Sequence, residues 1–203
     1  MSTENTIEPS TRRARPSAPF WGFVLLLGLV SCVVPIIAAR HYGALGIPRG
    51  DDWSYLQTLF RLVDHGRLDG NHWVSMTLIG QLGAAVPVVW IFGGSITAVQ
   101  CGVALAGFAG LLATYWMSVH VIGPGRAALV TITIALGPLW GPLAASYMTD
   151  VPAFAASMLA LALAVAALRR APLSVPLVAA SLAAGVFAFS ILSTRWSRSW
   201  RSR

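Results

Sequence analysis

Residues 20–39 read FWGFVLLLGLVSCVVPIIAA, a run that contains no charged side chain. A helix needs about 20 apolar residues to cross a bilayer, so this run predicts a membrane span. No small-residue cleavage site followed by a soluble domain comes after it, which indicates a retained helix rather than a secretory signal. The fold therefore begins with a transmembrane helix that passes through Pro35 and ends near Arg40.

The composition of the whole chain agrees with that first span. Of 203 residues, 56% are hydrophobic and 10% are charged, with a mean hydropathy of +0.70, whereas soluble domains carry roughly 25% charged residues. Further apolar spans are predicted at 96–118, 127–147, 151–168 and 173–192. We expect an all-α fold in which transmembrane helices form a polytopic bundle, a module that covers residues 19–192.

All 14 basic residues are arginines, and most of them flank apolar spans. Arginine excess marks the cytoplasmic side of short loops. Residues 1–18, with three arginines, are therefore predicted to be a disordered cytoplasmic tail, and the protein to lie in the plasma (inner) membrane. The arginines form no stripe along a folded face, which argues against nucleic-acid binding. Cys32 and Cys101 fall inside apolar spans, where a thiol behaves as a small hydrophobe.

The longest polar stretch, residues 40–73, carries four acidic residues, of which Asp51 and Asp52 are adjacent. Apolar residues from Tyr55 onward recur at helical spacing. We expect a short amphipathic helix that lies on the membrane surface in this first outer loop. Carboxylates at a membrane interface are costly unless they are solvated or paired, which makes the pair a candidate site. Asp52 or Ser54 can instead cap the helix.

Residues 74–92 are apolar but contain glycines, a glutamine and a proline, and they admit two topologies. If they do not cross the membrane, Asp150 returns to the side of Asp51, and Arg126 lies in the cytoplasm with the later arginine pair. If they cross, Arg126 lies outside and Asp150 lies opposite Asp51. The positive-inside rule favours the first topology, in which the acids share the outer face.

Asp150 stands in the run Thr149-Asp150-Val151-Pro152 between two apolar spans. Proline suits the first turn of a helix, so Asp150 can be the cap of the helix that follows. A helix N-terminus also lowers the cost of an ionised carboxylate. A capping role and a site role are therefore both open for Asp150.

Taken in order, these features resemble the membrane-embedded GT-C glycosyltransferases. The shared features are a first helix, an outer-loop acidic pair followed by Tyr55, an apolar stretch that ends in Phe92-Gly93, and the acid in the 149–152 run. Within that superfamily the chain is similar to the protein mannosyltransferase and aminoarabinose transferase group, as in glycosyltransferase family 39. The similarity covers residues 20–191.

The resemblance implies transfer of a sugar on the outer face, from a polyprenyl-phosphate donor to a hydroxyl of a protein, lipid or glycan. Asp51 or Asp52 would take the proton of the acceptor hydroxyl. Asp150 would orient the acceptor or help to bind a divalent cation, which the resemblance leaves open. Arg49 would contact the donor phosphate, or it would anchor the loop to lipid headgroups. The residues expected to bind substrate are Tyr55, Arg49 and His72.

Members of that family are longer, and residues 193–203 depart from its pattern because they alternate Ser, Arg and Trp. We expect this basic tail to be a frameshifted continuation of the gene, so that the chain is the N-terminal portion of an enzyme. A native tail that binds anionic lipid is the alternative. A chain truncated in this way keeps part of the catalytic face and can be inactive.

Two other function classes remain open. A non-catalytic membrane subunit would bind a partner through small-residue helix faces such as Gly107 to Gly110, but the same faces pack helices inside an enzyme. A small transporter would place polar or broken elements at the bilayer midplane and would contain internal repeats. The acids here fall at helix ends, which favours transfer between a lipid-borne donor and an outside acceptor.

Overall fold

The computed structural model of the chain describes residues 18–68 and 78–192. Within these two ranges every regular element is helical and no strand occurs, which confirms the all-α class. The elements are α1 (Ala18–Gly28), a π-helical turn (Leu29–Val33), α2 (Val34–His41), α3 (Asp52–His65), α4 (Ile79–Phe92), α5 (Ile96–Ile122), α6 (Pro124–Ala135), α7 (Trp140–Ala144), α8 (Asp150–Leu168) and α9 (Val175–Leu192).

Three helices in the described ranges are long and apolar enough to cross a membrane. They are Pro19–His41, Ile96–Ile122 and Asp150–Leu168. The apolar helices Ile79–Phe92, Pro124–Ala135 and Val175–Ile191 are shorter. The predicted spans near 20–39, 96–118 and 151–168 are therefore found as helices of spanning length.

The first long helix changes register where Pro35 interrupts its hydrogen bonds. Proline has no N–H, so the carbonyl of Ser31, four residues earlier, loses its helical donor. The chain forms a π-helical turn over Leu29–Val33 at this point, a common form of local helix adjustment. The indole Nε1 of Trp140 on α7 donates to the Ser31 carbonyl oxygen at 3.0 Å. The proline thus creates the acceptor by which α7 binds the first helix.

Helix α5 is the central element against which α1 and α8 pack. The ring of Tyr115 lies 4.4 Å from that of Phe23 between centroids, and Phe108 lies against Gly28. These pairs make α1 and α5 antiparallel.

On its other side α5 packs against α8 through two glycines. Gly107 faces Val151, and Gly110 faces the backbone of Ala155. Residue numbers rise together along this contact, so α5 and α8 are parallel, and α8 begins beside the middle of α5. Small residues allow this close approach, as the glycine-rich sequence of α5 predicted.

The predicted helix over 127–147 is wrong in its extent. Helix α6 ends at Ala135, the chain turns at residues 136–139, and α7 covers only Trp140–Ala144. The turn contains Gly137 and Pro138. Glycine and proline both disfavour a helix interior, which explains the break.

Helix α4 begins beside the segment that precedes α8 and leads to the start of α5. At its start, the Gln81 side-chain amide donates to the carbonyl oxygen of Tyr147, just before α8. The helix that follows it, α5, begins where Gln100 accepts a hydrogen bond from the backbone N–H of Gly46. Its 14 residues extend for roughly 21 Å, short of the roughly 30 Å hydrocarbon core. Whether residues 74–92 cross the membrane stays a prediction, and residues 74–77 lie outside the described residues.

Helix α3 is amphipathic, as predicted. Its buried face carries Tyr55, Leu56 and Leu59, which pack among residues of α4, α5 and the start of α8. The expected cap is not found, because the helix begins at Asp52 itself and Asp51 precedes it without a side-chain capping hydrogen bond. The helix ends at His65, and the left-handed backbone of the next residue, Gly66 (φ 63°), suits glycine.

Substitution of alanine for Gly110 tests the contact between α5 and α8. An added Cβ would meet the Ala155 Cα at 2.7 Å, whereas at Gly102 on the same helix the nearest atom is 3.7 Å away. Alanine favours a helix over glycine by about 1 kcal/mol at either position, but overpacking costs about 1–3 kcal/mol. We predict that Gly110→Ala lowers the thermal unfolding temperature and that Gly102→Ala does not. Equal effects of the two variants would contradict the close packing.

Candidate functional site

The candidate site lies where α3 begins, close to the junction between α7 and α8. Asp52 connects the two segments, because its Oδ2 accepts a hydrogen bond from the backbone N–H of Tyr147 at 3.0 Å. The side chain of Asp52 is completely buried, and its Oδ1 has no hydrogen-bonding partner. A carboxylate 95 residues away in sequence thus fixes the backbone three residues before Asp150.

Burial changes the protonation of Asp52. It raises the pKa of the Asp52 carboxyl above its ordinary value of 3.8. The hydrogen bond from the backbone N–H of Tyr147 opposes this rise, as do the nearby backbone and positive charge of Arg49. Burial dominates because removal from water disfavours the charged form.

Tyr147 is held by Gln81 as well as by Asp52. The Gln81 Nε2 donates to the Tyr147 carbonyl oxygen at 2.8 Å, and the Tyr147 hydroxyl donates to the Gln81 carbonyl oxygen at 3.2 Å. Tyr147 is 2% exposed and Gln81 is equally buried. The backbone N–H, the backbone carbonyl and the hydroxyl of one tyrosine therefore all bind groups from α3 or α4.

The charges of the three predicted aspartates act on the hydroxyl of Tyr55. Its ring is buried on α3, and burial raises the pKa of its hydroxyl. The charges of Asp51, Asp150 and Asp52 raise that pKa further, in this order of effect. Electrostatic influence of this kind requires short distances. The hydrogen bond from Tyr147 to Asp52 brings the start of α3, with Asp51 and Tyr55, close to the segment three residues before Asp150.

The three aspartates differ in their access to solvent. Asp52 is buried, Asp51 is half-buried and Asp150 is exposed. Asp150 is the first residue of α8, Thr149 is its N-cap residue, and no side chain caps this helix by a hydrogen bond. The capping role considered for Asp150 is therefore not found, and its carboxylate points to a surface that ligands can reach.

Arg49 lies beside the acidic residues and borders a cavity. Its side chain is exposed, and one Nη donates to the Ala44 carbonyl oxygen at 3.3 Å. The cavity has a volume of about 190 Å³ and is otherwise apolar or aromatic. Its lining comes from α2, the loop after α2, and α7, namely Pro35, Ala38, Ala39, Tyr42, Ala44, Arg49, Gly141, Pro142 and Ala145.

A second cavity, of about 170 Å³, is lined in part by Tyr147. Val88, Val103 and other small apolar residues of α4 and α5 line it together with Gln81 and Pro152. This cavity opens among apolar helices and contains no ionisable carboxylate.

His72, the remaining predicted binding residue, lies outside the described residues, as do the N-terminal tail and residues 193–203. Among the residues of 18–68 and 78–192, no group of three or more His, Cys, Asp or Glu side chains is placed to hold a metal ion. The suggested divalent cation therefore has no ligand set in the described part of the chain.

Sequence reasoning missed the two residues that fix the site, Gln81 and Tyr147. Gln81 is a lone amide in an apolar helix, and such a residue needs a hydrogen-bonding partner when it is buried. Tyr147 stands three residues before Asp150. The need for a partner was readable from the sequence, but the identity of that partner was not.

Comparisons of the chain with protein-family models, with curated protein sequences and with solved structures give no match.

The burial of Asp52 predicts how stability depends on pH. The folded chain binds the Asp52 proton more tightly than the unfolded chain between pH 3.8 and the raised pKa. Stability from this residue is therefore full below that range and falls as the pH rises through it. We predict that Asp52→Asn raises the thermal unfolding temperature at neutral pH and removes this part of the pH dependence.

The matched control is Asp64→Asn, on the exposed end of the same helix. Thermal unfolding of the purified full chain in detergent, followed from acid to neutral pH, gives the measurement. If Asp52→Asn has the same pH dependence of its unfolding temperature as the wild-type chain, the buried carboxyl of Asp52 is not the cause of that dependence.

Proposed function

We propose that the chain is a glycosyltransferase that moves a sugar from a polyprenyl-phosphate donor to an acceptor hydroxyl on the outer face of the plasma membrane. The observation that supports this most is the hydrogen bond from the Tyr147 N–H to Asp52, which brings half-buried Asp51 close to the segment that leads into exposed Asp150. One carboxylate can accept a proton while the other orients the acceptor. Arg49 supplies the neighbouring positive charge.

The proposal includes a polytopic arrangement in the membrane. The helix of α1 and α2 crosses outward, α5 inward, and α6 with α7 leads back to the outer face. The side of the carboxylates then faces outward, and Arg126 and the Arg169-Arg170 pair face the cytoplasm, as the positive-inside rule requires. The N-terminus is cytoplasmic in this arrangement.

The proposed reaction is a single displacement. The acceptor oxygen attacks the anomeric carbon as Asp51 removes its proton, and the bond from that carbon to the phosphate oxygen breaks. The polyprenyl phosphate leaves with the bonding electron pair, and the configuration at the anomeric carbon is inverted. A positioned general base contributes roughly 10²–10⁴-fold to a rate, which makes Asp51 the most sensitive position.

Arg49 and its cavity suit the donor in this proposal. A guanidinium binds phosphate oxygens through several N–H groups, and one Nη of Arg49 already donates to a nearby carbonyl. The apolar wall of the cavity, formed by α2 and α7, suits the first carbons of a prenyl chain. The predicted role of His72 in sugar binding stays a prediction.

The break between α6 and α7 bears on the transporter alternative, which expects broken elements within the membrane. Here the turn consists of Leu136, Gly137, Pro138 and Leu139, none of which ionises. Its leucines are more than half exposed. The break therefore offers no charged group for ion coupling.

We predict that Asp51→Asn lowers sugar transfer roughly 100-fold or more, because the base is lost. The full chain in liposomes is supplied with short-chain prenyl-phosphate hexoses and pentoses that carry a radiolabelled sugar. Release of the prenyl phosphate and transfer of label to added acceptor alcohols are both measured.

The control is Asp64→Asn on the same helix, which should keep the wild-type rate because Asp64 is exposed and distant from Tyr55 in the helix. Turnover by Asp51→Asn at the wild-type rate would refute the role of Asp51. Absence of turnover by the wild-type chain with every donor would refute the proposed function.

A further inference from the structure

We infer that Asp52 is a positioning residue, and that its carboxyl sets the place of Asp150 by holding the backbone of Tyr147. This inference rests on the proposed function for its activity readout, but its structural part can be tested without turnover.

Asp52 lacks the access to substrate that a general base needs. A general base must come within hydrogen-bonding distance of the proton that it removes. The Asp52 side chain is completely buried, and neither of its carboxyl oxygens reaches the surface. One oxygen is bound to Tyr147, so Asp52 cannot meet an acceptor hydroxyl in this conformation. Asp51, which is half-buried, can.

The position of Tyr147 influences the position of Asp150. Tyr147 is fixed through its N–H by Asp52 and through its carbonyl and hydroxyl by Gln81. Two residues later, the carbonyl of Thr149 accepts the hydrogen bond of Ala153 in the first turn of α8. Asp150 lies in that turn, so a shift of Tyr147 would move its carboxylate.

Asp52 links Asp51 and Asp150, the two acids that a substrate can reach. Asp52 follows Asp51 directly in the chain, and its side chain binds three residues before Asp150. The hydrogen bond from Tyr147 therefore links Asp51 on one segment to Asp150 on the other and helps to set their spacing. An error of about 1 Å in such spacing can cost about 100-fold in rate.

The two roles predict different results for asparagine. Asparagine keeps a carbonyl oxygen that can accept the Tyr147 N–H but cannot remove a proton. We predict that Asp52→Asn keeps at least about a tenth of the wild-type rate, whereas loss of a general base costs roughly 10²–10⁴-fold. We predict that Asp52→Ala falls about 100-fold through misplacement of Asp150. Asp51→Asn in the same assay supplies the reference for a lost base.

Hydrogen exchange at the Tyr147 amide tests the same contact without turnover. The amide should exchange slowly in the wild-type chain and in Asp52→Asn, and at least tenfold faster in Asp52→Ala. The Val99 amide, whose hydrogen bond to the Ser95 carbonyl lies in α5, is the internal reference that reports general unfolding.

The rate and exchange measurements distinguish a positioning role of Asp52 from a catalytic one. Protected Tyr147 with Asp52→Asn as inactive as Asp51→Asn would overturn the inference, because Asp52 would then be the base. Unchanged Tyr147 exchange in Asp52→Ala would also overturn it, whether or not the wild-type chain has activity. A wild-type chain that is inactive with every donor refutes the proposed function alone, and the exchange result still decides the contact.

Discussion

The candidate site depends on the hydrogen bond between the Asp52 carboxylate and the backbone N–H of Tyr147. It joins the start of α3 to the segment that leads into α8. The loop before α3 also contacts the first turns of α5, because the Gly46 N–H donates to Gln100. Residues of α3, α5 and α8 therefore meet around Tyr55, Val99 and Val151 in one buried cluster.

A buried carboxylate is costly, and the surroundings of Asp52 compensate only in part. It lies at the first residue of α3, where the helix dipole favours negative charge, and it accepts one strong hydrogen bond. Its second oxygen has no partner, so burial prevails and the pKa rises. Adjacent residues do not share a face of a helix, which explains why Asp51 remains reachable while Asp52 does not.

Hydropathy was sufficient to predict the all-α class and the three long helices, because membrane crossing requires an uninterrupted apolar run. It overextended the helix at 127–147, since the apolar character continues through Gly137 and Pro138 although the helix does not. The arginine pattern predicts that the acids share the outer face of the membrane, and this stays a prediction. The division of roles between Asp51 and Asp52 could not follow from sequence, because it depends on a tertiary contact with Tyr147. Gln81 was likewise visible only as an amide without an identified partner.

The most direct measurement determines on which side of the membrane residues 51, 126 and 150 lie. Single cysteines at these positions, which are half-buried or exposed, are placed in a chain whose Cys32 and Cys101 are replaced by alanine. Intact cells are then treated with a membrane-impermeant thiol reagent. We predict labelling at 51 and 150, with labelling at 126 only after the cells are permeabilised. Labelling at 51 and 126 but not at 150 in intact cells would contradict a shared outer face for the carboxylates.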